Sequence, residues 1–129
     1  MRILIIALCL VLSGCAGITA KIPSFWDDNQ SAKIIDARLS VERLDCDREG
    51  VSARVSALRD QLLWFELYSE SKGLRQTDVI ELVHPMRETV EDMHRRYSQA
   101  QASKSYCEIK QRILRSQAQK ASEAILGRF

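Results

Sequence analysis

Residues 51–67 read VSARVSALRDQLLWFEL, and this stretch decides the fold. Five of its apolar side chains recur at intervals of four and three residues: Val51, Val55, Leu58, Leu62 and Phe65. An α-helix turns once in about 3.6 residues, so these intervals place the five side chains on one helix face. Leu63, Trp64 and Leu67 widen the apolar stripe, and Gly73 is typical of a position just beyond a helix end. The stretch therefore predicts a long amphipathic helix that ends near Gly73.

Three further stretches show helical periodicity, and none shows the alternation typical of a β-strand. The first helix is predicted from Asn29 to about residues 44–46, the third begins at Thr77 or Asp78, and the fourth covers about residues 103–126. In the first helix the residues predicted to face inward are Ile34, Ile35, Ala37, Val41 and Leu44. In the fourth helix they are Tyr106, Ile109, Ile113, Ala118, Ala121 and Ile125.

Four helices with short connections predict an all-α fold, a small antiparallel helical bundle of about four helices behind a flexible N-terminal tether. In this topology the first helix lies beside the last. Charge favours that pairing, because residues 27–47 carry six anions and three cations, whereas residues 104–128 carry six cations and two anions. Inside the third helix, Pro85 lacks a backbone N–H and predicts a kink or a break near Leu82.

The third helix also contains two Glu-x-x-His motifs, at residues 81–84 and 91–94. This is the spacing that di-iron bundles use, but there the copies sit on different helices that face each other. Here they lie on one helix, roughly 15 Å apart along its axis, and cannot converge on one centre within a monomer. We therefore predict no metal, no cofactor and no enzymatic activity. A metal-binding helical-bundle enzyme is kept as an alternative.

The amino-terminal fifteen residues have the features of a segment that directs a protein to its location in the cell. A single cation, Arg2, precedes the apolar run from Ile3 to Leu12, and Leu12-Ser13-Gly14-Cys15 closes it. This closing motif resembles the lipobox of bacterial lipoprotein precursors. The resemblance implies that the Cys15 sulfur receives a diacylglyceryl group and that the chain is cut after Gly14. The alternatives are an ordinary secretory signal and a membrane helix, although ten apolar residues span only about half of the hydrocarbon core.

The leader divides the chain into a signal peptide at residues 1–14, a tether at 15–28 and a helical bundle domain at 29–129. The resemblance implies a lipid anchor at the periplasmic face of an envelope membrane. Ala16 follows the anchor where inner-membrane lipoproteins of enteric type usually carry Asp, so the outer membrane is expected. In the tether, Phe25 and Trp26 either pack onto the end of the domain or lie among lipid headgroups.

The chain has four cysteines. Cys9 is removed with the leader and the Cys15 sulfur is bonded to lipid, so an exported chain retains Cys46 and Cys107 as its two thiols. In an oxidising compartment these two are predicted to form one disulfide; two free structural cysteines are the alternative. The bundle topology brings the end of the first helix and the start of the fourth to the same place, which agrees with that disulfide.

Trp64 and Tyr68 form the densest aromatic group and share a helix face at an i, i+4 spacing. The pair is either the edge of the core or a contact site for a partner. Our interpretation is a lipoprotein that acts as a non-catalytic binding module, with membrane lipid and an envelope protein as partners. A net charge of +2 and export argue against nucleic acid. A phage- or prophage-type lysis or exclusion lipoprotein is the alternative.

Overall fold

The computed structural model describes residues 27–47, 49–73 and 76–127. Four helices make up this part of the chain: α1 (Asp28–Glu42), α2 (Val51–Ser71), α3 (Thr77–Gln99) and α4 (Lys104–Leu126). They pack as a bundle, which confirms the predicted fold class. None of these helices combines the length and the apolar character needed to cross a bilayer.

Neighbouring helices run antiparallel, as their side-chain pairs show. Low-numbered residues of α1 meet high-numbered residues of α4, since Arg38 Nη1 donates to Ser122 Oγ over 3.1 Å and Arg115 Nε bonds Glu42 Oε2 over 2.9 Å. Each helix thus contacts the helices before and after it, and α1 also lies beside α4. The side chains that meet inside the bundle form one cluster: Ile34, Ala37, Val41, Leu44, Val55, Leu58, Leu62, Phe65, Val79, Val83, Met86, Val90, Met93, Leu114, Ala118, Ala121 and Ile125.

The stretch that decides the fold forms α2 as predicted, although Trp64 and Leu67, which widen its apolar stripe, are exposed. Its five periodic apolar residues lie on the inner side of α2, four of them buried and Val51 partly buried. Gly73 follows the helix with φ +95°, a left-handed conformation that residues other than glycine rarely adopt. Its N–H donates to the Glu70 carbonyl over 3.0 Å, so the glycine turns the chain away while satisfying one of the last carbonyls of the helix.

α1 differs from the prediction at both ends. It begins at Asp28, one residue before the predicted start of the bundle domain, and ends at Glu42, before the predicted residues 44–46. Leu44 is buried all the same, 3% exposed, just beyond the helix. The early end is supported from α4, where the Gln111 amide donates to the carbonyls of Val41 and Leu44. The Gln111 side chain of α4 therefore donates to carbonyl groups that backbone N–H groups would bond if α1 were longer.

α3 begins at Thr77 as predicted, but its N-cap is Gln76, so neither predicted cap residue holds that position. The Gln76 side chain does not cap the helix, because its Oε1 accepts a hydrogen bond from Gln30 Nε2 over 3.1 Å. The same Nε2 donates to Ser69 Oγ over 2.9 Å. The three side chains are between 0% and 6% exposed, so they form a buried polar network between α1, α2 and the start of α3.

Of the kink or break predicted near Leu82, the break does not occur, since α3 is one helix from Thr77 to Gln99. Pro85 lies on the exposed side of the helix, whereas Val83 and Met86 are completely buried on its inner side. Packing of the inner side holds the helix together across the position that lacks an N–H. The kink at this position stays a prediction.

Several apolar residues predicted to face inward are exposed instead. Ile35 of α1 is 42% exposed, Leu67 of α2 is 55% exposed, and Ile109 and Ile113 of α4 are 53% and 42% exposed. The buried residues of α4 are Cys107, Leu114, Ala118, Ala121, Ser122 and Ile125. Small residues dominate this set, and Ile109 and Ile113 point to solvent, whereas Ile125 is buried as predicted.

Candidate functional site

The predicted lipidation residue, Cys15, lies outside the described residues, as do Phe25 and Trp26 of the tether. The described chain starts at Asp27, which is the N-cap of α1. Because α1 and α2 are antiparallel, the chain enters the bundle beside the last turn of α2. Asp27 is therefore the described residue nearest in sequence to the predicted anchor, Cys15.

Asp27 is bonded by three donors at the entry point. Its Oδ1 accepts from the Gln30 backbone N–H over 3.0 Å, and its Oδ2 accepts from the Tyr68 hydroxyl over 3.1 Å and from Lys72 Nζ over 2.9 Å. Burial favours the neutral acid, but the bonds from Lys72, Gln30 and Tyr68 outweigh it and hold the pKa of Asp27 below its usual value. The carboxylate therefore ties the start of α1 to the end of α2.

The predicted aromatic pair lies directly beside this carboxylate. The rings of Trp64 and Tyr68 stack with centroids 4.8 Å apart and planes 8° apart. Lys33 Nζ of α1 lies 5.5 Å from the Trp64 ring centroid, and Lys72 Nζ lies 5.1 Å from that of Tyr68. The structure thus brings the pair together as predicted. Its two members differ in role, since the Tyr68 hydroxyl bonds Asp27 whereas Trp64 is 41% exposed.

Leu67 adds an exposed side chain that the sequence interpretation had assigned to the core. It follows Trp64 by three residues, so the two lie on neighbouring parts of the outer side of α2. We call Trp64 and Leu67, with the flanking Lys33 and Lys72, the Trp64 surface. Each of its two lysines has a carboxylate partner: Asp36 for Lys33, at 3.4 Å, and the N-cap aspartate for Lys72. The surface is therefore apolar at its centre and close to neutral in charge.

The predicted cysteine pair lies at the opposite end of the bundle. The sulfurs of Cys46 and Cys107 are 2.04 Å apart, at disulfide distance, and join the α1–α2 connection to the first turn of α4. A cleft of about 540 Å³ lies beside Cys46, with Tyr97 and Lys104 among its other lining residues. Lys104 forms an ion pair with Asp47 that raises the pKa of the lysine.

The two Glu-x-x-His motifs of α3 do not converge. In the first copy, His84 is exposed and its Nε2 lies 3.4 Å from Glu88 Oε1. In the second copy, Glu91 accepts a bond of 2.7 Å from Arg59 of α2, which lowers the pKa of Glu91, and His94 Nδ1 lies 3.2 Å from a serine hydroxyl. Within residues 27–47, 49–73 and 76–127, no group of three or more histidine, cysteine or acidic residues is placed to hold a metal ion.

The chain matches no protein-family model, no curated protein and no solved structure.

Proposed function

We propose that this protein is a bacterial envelope lipoprotein, anchored through acylated Cys15, and that its helical domain is a non-catalytic binding module. The observation that carries the proposal is the lipobox-like motif Leu12-Ser13-Gly14-Cys15 behind a short apolar leader. The cysteine pair supports it, because Cys46 and Cys107 are engaged with each other within the fold. Of the remaining two cysteines, Cys9 belongs to the leader, so Cys15 is the residue available for lipid.

A binding role is favoured over catalysis because the carboxylates with shifted pKa values are bonded to cations of neighbouring helices. The pKa values of Asp27, Glu91 and Asp92 all lie below their usual values, and each group is bonded to a cation. Asp92 lies 2.7 Å from Lys110 of α4 and thereby links α3 to α4, just as the other two acids link α1 to α2 and α2 to α3. These groups therefore act as helix-to-helix contacts, whereas a catalytic acid or base has to be poised near the working pH.

We place the contact with a partner at the Trp64 surface. Exposed tryptophan side chains provide much of the binding energy where proteins meet other molecules, because they cover a large area with few rotatable bonds. Tyr68 was grouped with Trp64 as a candidate contact residue, but its hydroxyl joins two helices. Substitution of Trp64 therefore tests binding, whereas substitution of Tyr68 also tests stability.

The anchor is tested by the intact mass of the protein extracted with detergent from bacterial membranes. We expect a chain that starts at Cys15, carries acyl groups and gains two hydrogens on reduction. Cys15→Ala should abolish acylation, whereas Cys9→Ala, the matched control in the leader, should leave it unchanged. An unacylated mass with the leader retained would overturn the proposal. Separation of inner and outer membranes then tests the placement in the outer membrane.

A further inference from the structure

The route of the chain constrains where the Trp64 surface lies relative to the proposed anchor. Eleven residues, 16–26, separate Cys15 from Asp27. Fully extended, they reach at most about 40 Å. Asp27 is bonded directly to Tyr68 and Lys72, one turn of α2 or two from Trp64. The end of the bundle where the chain enters therefore lies within about 40 Å of Cys15, and the cysteine pair lies at the other end.

The chemistry of the surface matches the boundary between water and lipid. Tryptophan and tyrosine are enriched at that boundary, where an apolar ring with a polar atom is partly buried. Lysine side chains on its margin can lay their methylene groups along apolar surface and keep the ammonium group in water. Trp64, 41% exposed, and Leu67, 55% exposed, supply the apolar part, and Lys33 and Lys72 stand on either side of the aromatic stack.

We infer that the Trp64 surface rests on the lipid headgroup layer of the same membrane that holds the acyl chains of Cys15, an inference that depends on the proposed function. Trp64 lies seven residues before the end of α2, or about 10 Å along its axis, and Leu67 about 6 Å. A bundle standing upright would keep Trp64 clear of the headgroups. The inference therefore requires a bundle that leans with α2 towards the membrane.

The size and charge of the surface favour lipid over an envelope protein. Two exposed apolar side chains are few for a protein interface, which covers about 800 Å² on each partner. Tethering changes the requirement, because a short linker gives the bound partner an effective concentration in the millimolar range. Because both lysines have carboxylate partners, anionic lipid adds little attraction. Docking should accordingly depend weakly on salt and on the share of anionic lipid.

The test uses the acylated full chain in vesicles of phosphatidylethanolamine with a minor share of phosphatidylglycerol. The sequence has two tryptophans, so Trp26→Phe leaves Trp64 as the single tryptophan, whose emission is excited selectively over that of the three tyrosines. Compared with the same protein without vesicles, we expect the Trp64 emission to shift to the blue and to be less quenched by acrylamide. Lipids brominated near the headgroup end of the acyl chains should quench it. High salt should leave this quenching unchanged.

The matched control moves the tryptophan to the diagonally opposite helix. Ile113 of α4 is 42% exposed, almost the same as Trp64. In the variant with Trp26→Phe, Trp64→Phe and Ile113→Trp, brominated lipid should quench the emission several-fold less. Equal quenching of the two variants, or none of Trp64, would overturn the inference. Protection of Trp64 that requires an added membrane protein would overturn it in favour of a protein partner.

The intact mass separates this inference from the proposed function. Acylated protein whose Trp64 is not quenched refutes docking and leaves the anchor in place. Protein without acyl groups overturns both, and the mass shows this before any fluorescence is read.

Discussion

Removing both Cys46 and Cys107 should cost the domain a large part of its stability. The link joins residues 61 apart in the sequence. In the chain-entropy model, a closed loop of that length stabilises the folded state by about 4 kcal/mol at 25 °C, because the unfolded chain loses conformational freedom. The free energy of unfolding of a small domain is roughly 5–15 kcal/mol in total. The double variant Cys46→Ala, Cys107→Ala should therefore remain folded with a narrow margin or unfold at moderate temperature.

The assay is urea unfolding followed by the helical circular dichroism signal, which α1 to α4 make strong. We expect a lower midpoint and a steeper dependence on urea, since an unlinked unfolded chain exposes more surface. In thermal unfolding, about 4 kcal/mol corresponds to a fall of roughly 15–30 °C for a domain of this size. Reduced native protein is the matched control, because it loses the link but keeps the packing of the Cys107 side chain, which is 1% exposed.

Two results would refute this reasoning. A loss below about 1 kcal/mol with an unchanged urea dependence would show that the link does not restrict the unfolded chain. A large loss in the alanine variant with no loss in reduced native protein would assign the effect to a cavity at Cys107.

Three further predictions concern single positions. Leu114→Ala should lower the unfolding free energy by about 2–5 kcal/mol and Ile113→Ala by less than about 0.5 kcal/mol, as measured by urea unfolding; similar losses would contradict the orientation of α4. Gln30→Leu leaves the buried Oε1 of Gln76 without its donor and should cost about 1–3 kcal/mol, part of which the double variant with Gln76→Leu should recover. Asp27→Ala should cost about 1 kcal/mol at neutral pH. Because the folded-state pKa of Asp27 is lowered, its contribution is present above its unfolded-state pKa of 3.8 and should shrink below about pH 4; a difference from the native chain that stayed constant between pH 7 and pH 2 would refute this.

Sequence periodicity predicted the helices well because it depends on local geometry. α2 and its glycine stop follow from residues within one stretch, and the start of α4 follows from Ser103, whose hydroxyl caps the helix. Orientation was harder to predict in the first half of α4, where hydrophobicity favours the exposed Ile109 and Ile113. In the second half, Ala118, Ala121 and Ile125 are buried as predicted. The sequence feature that identifies the buried side of α4 is the seven-residue interval between Cys107, Leu114 and Ala121.

The contacts at the chain entry could not be predicted, because they join residues far apart in the sequence. The Tyr68 hydroxyl meets Asp27 across 41 residues, and the side chain of Gln76 turns to Gln30 across 46. Periodicity gives the face of a helix but neither its neighbour nor the register between them. The aromatic pair was therefore recognisable as a group, whereas the different roles of Trp64 and Tyr68 were not.

An even number of antiparallel helices returns the chain to the end from which it set out. Gly127, after α4, therefore lies at the same end of the bundle as Asp27. A fluorescent protein or epitope attached after Gly127 would therefore lie at the end of the bundle where the proposed tether enters. A tag placed in the α3–α4 connection, residues 100–103, would project from the other end. Where a tag is attached thus decides whether an experiment reports on the native arrangement.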